Sequence, residues 1–195
     1  NRKRMAEVAA VYEAVPVPRT APQVMAHTGD EQHQAGPVAK DKWLTASVTD
    51  DIGGVISEAF DEASRRDPAH KRRWIVLVDG NQTQIDAAHT EAKRRGVTIT
   101  IVIDFIHVAE YIWGAAWSFF DTGDRDAEAW VAAQLTKILN GKADTVAAGM
   151  VLVLQQRLPV FAALNLRPGV RIEAGVTQCL HALDDLVRQI NEVRI

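Results

Sequence analysis

Two carboxylates stand where chemistry is possible, Asp79 and Asp104. Each closes a run of β-branched residues, WIVLVD at 74–79 and VTITIVID at 97–104. The residues between them, Asn81–Arg95, read as a helix. Ile85, Ala88 and Ala92 fall three and four apart on one face, the last turn is basic, and Gly96 stands where a left-handed cap belongs. A strand–helix–strand unit of this length predicts two parallel strands joined by a right-handed crossover. Open α/β sheets carry their sites at the C-terminal edge of the strands, which is where both aspartates fall. Neighbouring strands lie about 4.8 Å apart, and carboxylates that close repel unless one is protonated or both share a cation. Oxygen donors of this kind suit Mg²⁺ or Mn²⁺. The spacing leaves a second reading open: Asp-Gly after a strand is a common turn, and Asp104 can cap the helix that follows it.

Several elements surround this unit. Val48–Arg66 reads as a helix, with Asp50 and Asp51 at its positive end and Ile52, Val55, Ile56, Ala59, Phe60 and Ala63 in one stripe. Asp67-Pro68 stops it. Arg4–Glu13 has the valines of a strand and the alanines of a helix. Val15–Lys42 carries Pro16, Pro18, Pro22 and Pro37 and reads as a loop or linker, with His27 and His33 in solvent. After Asp104 a helix runs to about Phe120, burying Val108, Ile112, Ala115, Ala116 and Phe119. Its Tyr111, Trp113 and Trp117 could stack on bases, but core packing is the commoner use of such rings. A turn at Asp121–Asp126 and a helix at Ala127–Asn140 follow, then an apolar helical stretch, Lys142–Leu158. Pro159–Gly175 reads as irregular. Val176, Leu180, Leu183, Val187 and Ile190 recur at coiled-coil spacing, which suits a homodimer seam or a surface helix on a core.

Composition narrows the classes. The chain has 195 residues, 47% hydrophobic and 24% charged, as an ordinary globular domain has. A net charge of −3 offers no global basic field. Three local basic runs could track phosphates or simply be solvated ends: Arg2-Lys3-Arg4, Lys71-Arg72-Arg73 and Lys93-Arg94-Arg95. A single cysteine, Cys179, excludes an internal disulfide and suits a reducing compartment, so a cytoplasmic location is expected. Neither an 18-residue apolar run nor a signal-peptide pattern occurs. A first residue other than Met suggests a fragment or a processed product.

Longer stretches carry more. LVDGN and IVIDFIHVAEYIW, together with NRKRMAEVAAVYEAVPVPRT, DDIGGVISEAFDEASRRDP and AEAWVAAQLTKILNGKADTVAAGM, resemble bacterial insertion-sequence transposases of the ISKra type. The resemblance spans residues 1–150. It implies a DDE catalytic domain: an α/β, partial RNase H-like fold, with a mixed sheet, a parallel strand–helix–strand unit and flanking helices. A divergent, mostly helical tail would occupy 151–195. In that family three acids hold two Mg²⁺ ions, which activate water or a 3′ hydroxyl and stabilise the leaving oxygen.

By this resemblance Asp79 is the second acid and a metal ligand. The first acid would lie upstream of Asn1. The third should be a glutamate on a late helix. Glu173 in GVRIEAG is a weak match, too early and without the basic residues that should follow. Asp104-Phe105-Ile106-His107 matches the D-x-x-H element of related Mutator-like transposases, which makes Asp104 and His107 site-supporting. His107 would fix Asp104 by a hydrogen bond or grip DNA. Lys93, Arg94 and Arg95 are the candidate DNA contacts. The tail departs from the family's arginine-rich continuation, as a frameshift or truncation would leave it.

The expectation is therefore a transposase fragment that partners DNA, uses Mg²⁺ or Mn²⁺, lacks at least one catalytic acid and is inactive alone. A non-catalytic remnant that binds DNA or a protein is the alternative. A small-molecule α/β domain is disfavoured, because GNQTQ after Asp79 lacks a glycine-rich phosphate cradle.

Overall fold

A computed structural model describes residues 6–117, 120–121 and 123–150. In chain order the elements are β1 (Glu7–Glu13), α1 (Ala21–Met25), β2 (Lys40–Ser47), α2 (Ile52–Arg66), β3 (Trp74–Val78), α3 (Gln82–Arg95), β4 (Ile99–Ile103), α4 (Phe105–Ala116) and α5 (Arg125–Leu139). They fall into two compact units, Asn1–Pro18 with Ala35–Val102, and Arg19–Gln34 with Ile103–Ile195.

The first unit is α/β. β1 and β2 pair antiparallel. Half-buried and exposed residues alternate along β1, the signature of a strand covered on one face, and this settles the strand-or-helix ambiguity of that segment. β2 was not expected: its first residues fall within the predicted loop. Val11 faces Trp43 but Glu13 faces Lys40, so β2 holds one residue more than its partner. That is a bulge, and Asp41 within it takes φ 50, a left-handed conformation that Asp tolerates better than most.

α2 is capped by Asp51, whose carboxylate accepts the Gly54 N–H at 2.9 Å. Its predicted stripe holds, with Val55 and Phe60 buried. β3, α3 and β4 form the expected unit, and β3 pairs with β4 in parallel. Ile85, Ala88 and Ala92 are buried, and Gly96 ends α3 with φ 66. The strands do not make the single mixed sheet that was expected. The described strands form two separate pairs, β1–β2 and β3–β4. What joins them is α2. Thr45 of β2 donates to Glu58 of α2 at 2.6 Å, and Trp74 of β3 meets the Phe60 ring edge-on at 5.9 Å.

The described part of the second unit is helical. α1 lies inside the segment predicted as loop. Its prolines do not prevent it, because Pro22 occupies the first turn, where a missing N–H costs no helical bond. Gln23 reaches back to accept the Thr20 N–H at 2.8 Å. α4, α5 and the helical residues 143–150 enclose one apolar cluster, with Val108, Ile112 and Ala116 facing Val131, Leu135, Ile138, Val146 and Met150. Phe119, Glu173, the 176–190 seam and the rest of 151–195 lie outside the described residues. Among the described residues, no helix is long and apolar enough to cross a membrane.

Candidate functional site

Asp79 stands one residue beyond β3 and is half-buried. One of its carboxylate oxygens accepts the Asn81 N–H at 2.8 Å. Asn81 caps α3 in turn, its side-chain oxygen accepting from Thr83 N at 2.9 Å. Gly80 between them takes φ 100, a conformation that a side chain at this position would strain. VDGN is thus a tight turn that holds a carboxylate just beyond the end of a parallel strand. The turn engages Oδ1, and a carboxylate has a second oxygen with which to accept.

Asp104 follows β4 and caps α4, its Oδ1 accepting from Ile106 N at 3.0 Å. The helix-cap reading of this residue is therefore realised. The expected hydrogen bond from His107 to Asp104 is replaced by other contacts. His107 Nδ1 lies 3.3 Å from Glu110 Oε2, and its ring meets Tyr111 edge-on at 5.3 Å. The reason is geometric. A capping carboxylate turns toward the first free N–H groups, whereas a residue in the first turn meets side chains three and four further on. Asp79 belongs to the first unit and Asp104 to the second.

The basic run at the end of α3 divides by partner. Arg95 turns inward and ties two helices together. Its guanidinium reaches Asp61 at 2.7 Å and the Ser57 carbonyl at 3.1 Å on α2, and Glu91 at 3.0 Å on α3. It also lies 6.0 Å from the Phe60 ring centre. Arg94 pairs with Glu91 at 2.7 Å. The Arg94 hydrogen bond, followed by that from Arg95, holds the Glu91 carboxyl below its ordinary range against the opposing effect of burial. Lys93 is exposed. A DNA phosphate approaching Arg94 or Arg95 must therefore compete with a carboxylate already in place. The Glu91 spacing to Arg94 and Arg95 was visible in the sequence; Asp61 and Ser57 were not.

Two acids organise the other end of α2, Glu62, which sequence reasoning passed over, and Asp67, which it read only as part of the helix stop. Glu62 is buried and accepts from Arg65 at 2.7 Å and Arg66 at 2.6 Å. Those hydrogen bonds, Arg65 first, lower its carboxyl to about 2. Asp67 is also buried. It accepts the N–H groups of Lys71 at 3.0 Å and Arg72 at 2.9 Å, and the Trp74 indole N–H at 3.0 Å. The Arg72 backbone bond is the main cause of its lowered pKa. A residue legible only as a helix stop is thus the hub of the turn that feeds β3.

Of the three aromatic residues expected to pack in the core, Trp113 does so, while Trp117, just beyond α4, is 49% exposed. Trp113 lies against the apolar cluster and stacks with Trp117, ring centres 5.2 Å apart. His27 and His33 are exposed, as expected. Among the described residues no group of three or more His, Cys, Asp or Glu side chains is placed to hold a metal ion. Comparison with protein-family models, curated proteins and solved structures finds no match to the chain.

Proposed function

We propose that this chain is a piece of the RNase H-like catalytic domain of a DDE-type DNA transposase, with Asp79 as one of its metal-binding acids. The observation that carries this reading is the parallel β3–α3–β4 unit with Asp79 immediately beyond β3, at the edge where such sheets bear their sites. The resemblance of the surrounding segments to ISKra-type transposases supports it. Mg²⁺ is commonly held by one or two carboxylates, with water and substrate phosphate completing its shell, so Asp79 fits as part of a donor set. In the family, the bound ions activate the attacking oxygen and stabilise the leaving one. The contribution of this chain is to hold Asp79 rigidly, through the Asn81 N–H and the Gly80 turn. The resemblance gives Asp104 and His107 supporting roles. The resemblance also gives Lys93 the role of a DNA contact, which its exposure in the last turn of α3 allows. DNA is the partner and the bacterial cytoplasm the compartment.

The chain alone is expected to bind a divalent ion weakly and to leave DNA uncut. Titration with Mn²⁺ under NMR should broaden the amides of residues 79–83, and Asp79→Asn should abolish the effect. Broadening that survives the substitution would remove Asp79 from the proposed site. Plasmid nicking by the wild-type chain, lost in Asp79→Ala, would overturn the expectation of inactivity.

A further inference from the structure

Of the basic runs in the sequence, Lys71-Arg72-Arg73 has no part in the proposed site. It lies in the turn that feeds β3, at the opposite end of that strand from Asp79. β3 has five residues, and at about 3.3 Å each its two ends stand about 17 Å apart. Asp67 fixes the turn by accepting the N–H groups of Lys71 and Arg72. Arg72 pairs with Glu13 at the end of β1, and the strand register sets Glu13 opposite Lys40. The Arg72 hydrogen bond, with a smaller effect from Arg66 of α2, lowers the Glu13 carboxyl. The end of α2, the turn and one end of the β1–β2 pair therefore meet in one place.

That place is basic. Residues 62–73, with 13 and 40–42, hold seven Lys and Arg against four Asp and Glu, in a chain whose net charge is −3. Three of those acids are engaged: Glu13 by Arg72, Glu62 by Arg65 and Arg66, and Asp67 by backbone and indole N–H groups. Lys40, Lys42, Lys71 and Arg73 are exposed, and among the described residues no carboxylate pairs with them. The remaining acid, Asp41, is exposed beside Lys40 and Lys42. At the other end of β3, residues 79–86 hold two acids and no Lys or Arg.

We propose that this basic end of the first unit is a contact for the phosphate backbone of duplex DNA, made without reading its sequence. Free cations drawn from two strands' ends and a turn fixed from within suit a polyanion, because neutralising phosphates releases their condensed counterions. The turn offers charge and no large apolar side chain. A backbone contact needs charge alone, whereas a peptide partner needs an apolar anchor seated in a pocket. The parallel crossover also returns the last turn of α3 to this edge, so Lys93 stands toward it and away from Asp79. Taking DNA as the polyanion rests on the transposase reading; the contact itself needs no metal at Asp79.

Fluorescence anisotropy with a labelled duplex of about 20 base pairs, on the full chain in EDTA, tests the proposal. Affinity should fall steeply between about 50 and 200 mM salt. Lys71→Glu and Arg73→Glu should each weaken binding about fivefold or more and lower the salt slope by about one. Both side chains are exposed and unpaired, so circular dichroism should be unchanged. Lys142→Glu, the same charge change on an exposed residue of the second unit, should leave binding within about twofold of wild type. Absence of binding at low salt would overturn the proposal, as would an equal loss in all three variants. Displacement of the duplex by polyglutamate at a lower concentration of charge would assign the surface to an acidic protein instead. Binding that holds in EDTA while the Mn²⁺ titration fails would support this contact and count against Asp79 alone.

Discussion

In the first unit, elements are joined to one another by charged side chains; in the second, they meet through hydrocarbon. α2 reaches α3 through Asp61–Arg95 and the Ser57 carbonyl, β2 through Glu58–Thr45 and β3 through Asp67–Trp74, while Glu13 of β1 pairs with Arg72. Local side-chain hydrogen bonds stand out in α4 and α5 by contrast, a cap at Asp104, another at Asp124 and a Thr136 hydroxyl on Ala132. Cohesion there comes from the apolar cluster around Ile112. The difference follows from strand content. Two isolated strand pairs bury little, since one face of each is open, so polar ties carry more of the organisation. Helices with wide apolar stripes bury enough by themselves.

The sharpest way to break this comparison is to empty the cluster. Ile112 is 1% exposed, and Ile112→Ala should cost about 2–5 kcal/mol by deletion of buried carbon and the cavity left behind. Hydrogen exchange should show the loss in α4 and α5. Equal loss in β1 and β2 would contradict the contrast.

A smaller effect is expected from acid, on the first unit. The Glu62 carboxyl is lowered from 4.5 to about 2, so its contribution is fully present above 4.5 and is lost as pH falls toward 2. Asp67 is lowered in the same direction and should add to the loss. Exchange protection in α2 and β3 should fall across that window, and Glu62→Gln should flatten the dependence. A pH profile identical to wild type in that variant would remove Glu62 as the cause.

The smallest change sharpens the picture of the α3 end. Gly96→Ala places a side chain at φ 66 with nothing within 4 Å of it, so the penalty is backbone strain alone, about 1 kcal/mol. Thermal melting should detect it as a shift of a few degrees at most. A larger shift would mean that Arg95, one residue earlier, had lost its grip on α2.

How much of this was legible depended on how local the signal was. α3 could be read from Ile85, Ala88, Ala92 and Gly96, because helix periodicity and its cap lie within a few residues. Asp79 and Asp104 could be placed at strand ends for the same reason. β2 could not. KDKWLTAS has two lysines and little β-branching, and it becomes a strand by pairing with β1 across a long loop. α1 was hidden by prolines that the first turn of a helix accepts.

The sequence by itself determined the strand–helix–strand unit, the turn at Asp79 and the cap at Asp104, because each is set by backbone preference and hydrogen bonds over a handful of residues. Only the tertiary structure decided that the strands form two pairs, that Arg95 is held by Asp61 and that Asp67 gathers the turn before β3. Such choices rest on partners distant in sequence. Their energy appears only once the chain has closed the intervening loop, so no local pattern announces them.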